Sequence, residues 1–152
     1  MAKKRSETPL LAENRKARHD YDLLERYEAG IALQGSEVKS ILARKVSLTG
    51  AYCKVVNGEA WLYDLDVAPY EKASVSVPDR RRPRKLLLHK REIEQLRRKT
   101  EAKGLTLVPT KVYYKNRRIK VEIALARGRK KYDKREKIKE REERRRAGQL
   151  PA

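Results

Sequence analysis

The chain has 152 residues, 39% of them hydrophobic and 40% charged, with a formal net charge of +19 and a pI near 10.2. That length fits one domain plus tails with one modest core, and the charge lies far outside the range of an ordinary soluble enzyme; it attracts polyanions, nucleic acid before anionic membrane. A lone cysteine, Cys53, excludes an internal disulfide framework, no apolar run approaches the roughly 18 residues of a membrane span, and no signal-peptide segment follows the basic start, so the expected location is cytoplasmic.

Residues 1–13 are polar and without periodicity; they read as a mobile arm ahead of a domain over 14–127. Alternation at period 2 then puts Tyr27, Ala29, Ile31 and Leu33 on one strand face. In Gly35-Ser36-Glu37-Val38-Lys39-Ser40-Ile41-Leu42 the residues Val38, Ile41 and Leu42 have helical spacing, and Ser36 is a candidate N-cap. A hairpin follows: Asn57-Gly58 supplies the two positive-φ residues of a type I′ turn between residues 51–56 and 59–67. Beyond the turn, Trp61, Tyr63, Leu65 and Val67 alternate with Asp64 and Asp66, and Pro69-Tyr70 ends the strand.

Residues 71–85, with two prolines and Arg80, Arg81, Arg82, Arg84 and Lys85, read as an exposed basic loop. A helix is expected over residues 90–103, with Ile93 and Leu96 inward and Gly104 as its stop. Two last strands, 105–115 and 118–126, meet at Asn116-Arg117, where Asn tolerates the left-handed conformation better than Arg does. In the second, Val121, Ile123 and Leu125 alternate with Lys120 and Glu122. The fold class expected is mainly β with helices: a small antiparallel, OB-like β-barrel with two or three flanking helices. That architecture commonly binds oligonucleotides but does not by itself prove function.

Residues 128–152 form a basic tail. Ile138 is its only large apolar side chain before Leu150, so it has no stripe with which to dock on a core. Asp133 and Glu136 have capping-box spacing, and the pairs Glu140–Arg144 and Glu142–Arg146 each add about 0.2–0.5 kcal/mol to a helix. Lys137–Arg141 and Arg141–Arg145 repel at the same spacing. The tail is therefore expected to be disordered or partly helical when free and helical on a polyanion.

The basic clusters point to phosphate contact. Eight tyrosines and no phenylalanine give rings with a polar end suited to exposed stacking, and of Tyr113 and Tyr114, beside Lys111 and Lys115, one should be exposed. Asp64-x-Asp66 resembles part of a two-metal site, which makes a metal-dependent nuclease one alternative; a general structural RNA-binding protein of the ribosome is another. His19-Asp20 could form an acid–base pair, but adjacency in sequence does not set geometry. Two histidines and one cysteine give no zinc spacing, and no P-loop, nucleophile elbow or metal-protease helix is present. The reading is therefore no enzyme, no cofactor and no metal.

Several stretches occur in order: Asn14-Arg15-Lys16-Ala17-Arg18-His19-Asp20-Tyr21, Tyr27-Glu28-Ala29-Gly30-Ile31, Gly35-Ser36-Glu37-Val38-Lys39-Ser40, Arg84-Lys85-Leu86-Leu87-Leu88 and Asp133-Lys134-Arg135. Together, from about residue 14 to 142, they resemble the SsrA-binding protein family, also called small protein B, of bacterial trans-translation. The resemblance implies a non-catalytic adaptor that binds the tRNA-like domain of transfer-messenger RNA and brings it, with elongation factor Tu, to stalled ribosomes. It implies RNA-binding roles for Glu28, Leu87 and Lys120. Arg84, Lys85 and Arg117 join them as basic candidates. It assigns the tail to the decoding centre and empty mRNA channel, with Gly128, Lys130, Lys131, Tyr132, Asp133, Lys134 and Arg135 at the decoding site. The chain departs from many relatives at Glu143, where an aromatic is common, and at Arg117, which replaces a turn glycine.

Overall fold

The computed structural model describes residues 9–70 and 78–128. Among them the chain forms nine strands and three helices in the order β1 (Leu10–Glu13), α1 (Arg15–Asp20), β2 (Tyr21–Ile31), α2 (Gly35–Leu42), β3 (Val46–Ser47), β4 (Tyr52–Val56), β5 (Glu59–Tyr63), β6 (Asp66–Val67), β7 (Arg84–Leu87), α3 (Lys90–Lys103), β8 (Thr106–Lys115) and β9 (Arg118–Gly128). Seven strands make one antiparallel sheet in the order β1-β8-β4-β5-β7-β2-β9, and β8 also pairs with β9; β3 and β6 form a small separate ladder. The architecture is an antiparallel sheet with flanking helices.

Turn chemistry accounts for both long hairpins. Asn57 (φ 50°) and Gly58 (φ 75°) join β4 to β5, and Asn116 (φ 51°) and Arg117 (φ 63°) join β8 to β9, each a pair of left-handed residues matched to strand twist. α3 ends at Gly104, whose φ of 63° only glycine adopts without penalty. At the start of α2 the cap differs from expectation: Gln34, not Ser36, precedes the helix, and its backbone N–H donates to Glu37 Oε1 at 2.9 Å. Of Val38, Ile41 and Leu42, which share helical spacing, Ile41 is fully buried while Leu42 is exposed.

The core gathers Ile41, Leu62, Leu65, Leu86, Leu96, Val112, Val121, Ile123 and Leu125. Each such side chain contributes about 1.5–3 kcal/mol on burial. Tyr27, Ala29, Ile31 and Leu33 share the inward side as the alternation requires. Ala124 and Ala126 are buried on the opposite side of β9, under Ala17 of α1. That helix has no counterpart in the sequence reading. Asn14 secures it, accepting from the Ala17 N–H at 3.1 Å and donating Nδ2–H to the Pro109 carbonyl at 2.9 Å.

Three further expectations are corrected. Leu10–Glu13, read as the end of a mobile arm, pairs with β8. In the β4–β5 hairpin the inward residues are Ala60 and Leu62, not Trp61 and Tyr63. Asp64 then adopts φ 60°, and this left-handed residue reverses the phase so that Leu65 and Val67 are buried in turn. Without that break, strict alternation would carry Asp64 and Asp66 inward. Finally, Arg84 and Lys85 do not belong to an exposed loop but open β7.

Arg84 is fully buried. Its Nε and Nη2 donate to Glu37 Oε2 at 2.9 and 2.6 Å, and its Nη1 donates to the Leu65 carbonyl at 2.7 Å. Arg82 adds a bond from Nη2 to Glu37 Oε1 at 2.6 Å. Burial pushes the Glu37 carboxyl up, but Arg82, the Gln34 N–H and Arg84 outweigh it, so the group is held below its ordinary pKa. This paired buried carboxylate joins α2 to β7.

Candidate nucleic-acid interface

The registers of β8, β9, β2 and β7 place Tyr113, Lys120, Gly30 and Leu87 in one row: Tyr113 opposes Lys120, Lys120 opposes Gly30, and Gly30 opposes Leu87. Residues directly opposed across antiparallel strands share a face. Gly30 has no side chain, so the row is notched between Lys120 and Leu87. A Cβ built on Gly30 would lie 3.2 Å from Leu87 Cβ, too close without displacing that side chain. The notch opens into a cleft of about 740 Å³ whose lining includes Glu28, Lys85, Leu87, His89, Lys90 and Lys120.

Glu28 stands at the edge of this cleft on β2. Its Oε2 accepts from the Tyr113 hydroxyl at 2.6 Å and from Lys115 Nζ at 3.1 Å. The Tyr113 hydrogen bond outweighs the opposing effect of desolvation and, with Lys115 and the charge of Lys120 added, holds the Glu28 carboxyl below its ordinary pKa. Burial, followed by the hydrogen bond to Glu28, raises the Tyr113 phenol, which therefore remains a donor at neutral pH. Glu28 thus presents a fixed, ionised acceptor. Leu87 is 52% exposed, an apolar side chain held out beside that acceptor. Lys85 reaches Glu59 at 2.8 Å across an exposed ion pair.

The structure brings together Glu28, Lys85, Leu87 and Lys120, which the sequence reading had named separately. Arg117 sits at the tip of the β8–β9 turn and does not line the cleft. Arg84, also named, is in the core on Glu37, and its buried guanidinium has no face toward the cleft. Gly128 ends β9, while Lys130, Lys131, Tyr132, Asp133, Lys134, Arg135 and Glu143 lie outside the described residues.

Of the two tyrosines of which one was expected to be exposed, neither is: Tyr113 is buried and Tyr114 half-buried. Sequence reasoning missed Tyr113 as the anchor of Glu28, and missed Gly30, His89 and Lys90. A glycine inside an otherwise regular strand was the available signal for Gly30, since such residues mark close approaches. Asp64 and Asp66 do not share a strand face, because the chain breaks at Asp64, and Asp66 accepts from Arg80 Nε at 2.6 Å. Among the described residues no group of three or more His, Cys, Asp or Glu could hold a metal, and no helix is long and apolar enough to cross a membrane.

Comparison with known proteins identifies the family. The SmpB protein family profile matches residues 11–150. An SsrA-binding protein of Roseiflexus sp. (strain RS-1) is 57% identical over 137 residues, covering 90% of this chain and 87% of the relative. The SsrA-binding protein of Carboxydothermus hydrogenoformans is 53% identical over 133 residues, covering 88% and 89%. Among solved structures, a chain reported under "tmRNA-SmpB: a journey to the center of the bacterial ribosome" matches with a TM-score of 0.64 and 57% identity, covering 76% of this chain and 82% of that one. Agreement in profile, in sequence over nearly the whole length and in fold has one reading: the chain belongs to the SmpB family, the SsrA-binding proteins.

Proposed function

We propose that this protein divides its work between the cleft and the tail. As a member of its family it is a non-catalytic RNA-binding adaptor of trans-translation, acting in ribosome rescue with transfer-messenger RNA. The cleft takes the tRNA-like domain of that RNA, and the observation that carries this reading is the convergence of Glu28, Leu87 and Lys120 around the Gly30 notch. Lys120 contacts phosphate, Leu87 packs on a base or ribose face, and Glu28 accepts from base or ribose donors. Lys85 lines the same cleft and adds charge, and Arg117 at its hairpin tip reaches phosphate farther out.

The sheet closes into an OB-like barrel; in its support, β9 stands last in the strand order yet pairs with β8, the second. Residues 128–152 enter the decoding centre and the empty mRNA channel, with Tyr132 stacking on a ribosomal base and Lys130, Lys131, Lys134 and Arg135 on rRNA phosphates. Elongation factor Tu accompanies the complex, and the protein works in the cytoplasm.

Truncation after Gly128 tests the division. The shortened protein should bind tRNA-like RNA as the full chain does but fail to support tagging of nascent chains on ribosomes that lack a stop codon. Full tagging by the truncated protein, or loss of its RNA affinity, would refute the assignment.

A further inference from the structure

Next to the cleft the outer surface of β4, β5 and β7 carries a set of flat rings and cations. Tyr52 and Tyr63 are paired across β4 and β5 and stack with ring centroids 5.2 Å apart and planes 19° from parallel. Two residues along the same face, Lys54 opposes Trp61 and Trp61 opposes Lys85. The intervening Cys53, Leu62 and Arg84 are buried, which fixes these five side chains on the outward side. The Lys54 ammonium lies 5.7 Å from the centre of the Tyr52 ring, and Tyr52 is 39% exposed.

A stacked tyrosine pair alone supports the sheet on which it sits. A stack beside an indole, bracketed by two ammoniums, has the elements of a single-strand platform: rings that accept the face of any base, and cations within reach of the backbone that joins them. Glu59 offsets one of these charges through its pair with Lys85, but that pair is exposed, and a phosphate can displace the carboxylate at little cost. The platform is continuous with the cleft, because Lys85 belongs to both and Leu87 follows it two residues along the same face of β7.

We propose that the outer face of β4, β5 and β7 is a stacking subsite for unpaired bases of the RNA held in the cleft. Trp61 and the Tyr52–Tyr63 pair take the bases, and Lys54 and Lys85 take the phosphates between them. This inference rests on the cleft being an RNA site.

Trp61 is the chain's one tryptophan, so its emission reports on this face alone. The full-length protein is titrated with tRNA-like RNA and, as a second probe, with a blunt RNA duplex lacking unpaired bases. The tRNA-like RNA should quench Trp61 saturably and in step with binding, and the duplex should bind without quenching. Tyr52→Ala should weaken the tRNA-like RNA about tenfold, the scale of one lost base stack. Lys54→Ala, at an exposed side chain whose loss does not threaten folding, should weaken it several-fold and lower the salt slope.

Unchanged emission at saturating RNA, or equal quenching by the duplex, overturns the subsite. So does parental affinity in Lys54→Ala. Lys120→Ala separates the two readings. Weak binding in that variant with no Trp61 response in the parent leaves the cleft standing and removes the platform. Parental affinity in that variant, with quenching and Tyr52 dependence intact, overturns the cleft's part in binding, and the outer face then stands as an RNA surface of its own rather than as a subsite of the cleft.

Discussion

Tyr113→Phe removes one oxygen from the protein and should change RNA recognition more than its small size suggests. The hydroxyl donates to Glu28 Oε2 at 2.6 Å, and the ring lies buried in the sheet, so phenylalanine keeps the packing and deletes only the donor. A hydrogen bond to a charged group contributes about 1.5–3 kcal/mol where water is excluded. Here the Glu28 side chain is 38% exposed and keeps Lys115 Nζ at 3.1 Å, so solvent and that ammonium recover part of the loss. A net cost of about 1 kcal/mol is expected for folding. If the carboxylate must be held in place to accept from RNA, a similar amount is lost in binding, about fivefold in Kd.

The sign of the pH dependence follows from the direction of the Glu28 shift. Its folded pKa is depressed, with the Tyr113 hydrogen bond the largest cause. The associated stability is therefore complete above the unfolded value, about 4.3, and is lost as pH falls through the folded pKa. Urea unfolding of parent and variant should show a constant gap above about pH 5 that narrows as Glu28 protonates. A gap undiminished in acid would mean the hydroxyl supports something other than the carboxylate. Loss of stability with unchanged RNA affinity would refute the argument that Tyr113 positions Glu28 for recognition.

Lys120→Ala should lower the slope of log affinity against log salt by about one unit, and an unchanged slope would mean that Lys120 contacts no phosphate. Glu37→Ala strands the fully buried Arg84 and should cost about 3–5 kcal/mol in urea unfolding. Because Glu37 is held below its ordinary pKa, the parent should lose that contribution as pH falls through the folded value, so the parent–variant gap should narrow in acid. Arg117→Gly relieves a non-glycine residue at φ 63° and should raise stability by about 1 kcal/mol in thermal unfolding. If Arg117 also reaches phosphate, the same change weakens RNA binding, so stability and affinity move in opposite directions.

What could be read from sequence was local. The Asn57-Gly58 and Asn116-Arg117 turns, α3 and its Gly104 stop depend on residues within a few positions of one another, and they stand as expected, although the strand expected over 59–67 ends at Tyr63. What failed depended on distance. Alternation shows which residues of 60–67 share a face, but not which face is covered, and the reversal at Asp64 is set by what Leu65 and Val67 pack against. Arg84 sat in a run of arginines and looked solvated; its carboxylate lies 47 residues earlier, in α2. The cleft was legible as names without a place. Glu28, Leu87 and Lys120 came from resemblance, and only the pairing of β9, β2 and β7 puts them around Gly30.

If the cleft takes the RNA, as proposed, its charge separates attraction from recognition. The chain carries +19, yet the cleft lining holds Glu28, Glu59 and Glu92 against Lys85, Lys90 and Lys120, a balance near zero. A surface meant only to gather phosphate would not place as many carboxylates as ammoniums in its groove. Most of the long-range field must therefore arise elsewhere on the chain, where added cations steer RNA in a salt-dependent way without reading it. Within the cleft the acids and bases compensate one another. What remains there is directional: an ionised acceptor fixed by Tyr113, an apolar side chain, and one ammonium beside a notch with no side chain. Contacts of that kind discriminate among base and ribose groups, whereas phosphate contacts set position. It follows that total affinity should fall steeply with salt while the preference for tRNA-like over unrelated RNA should not. Substitutions at Glu28 or Tyr113 should erode the preference, leaving the salt slope in place.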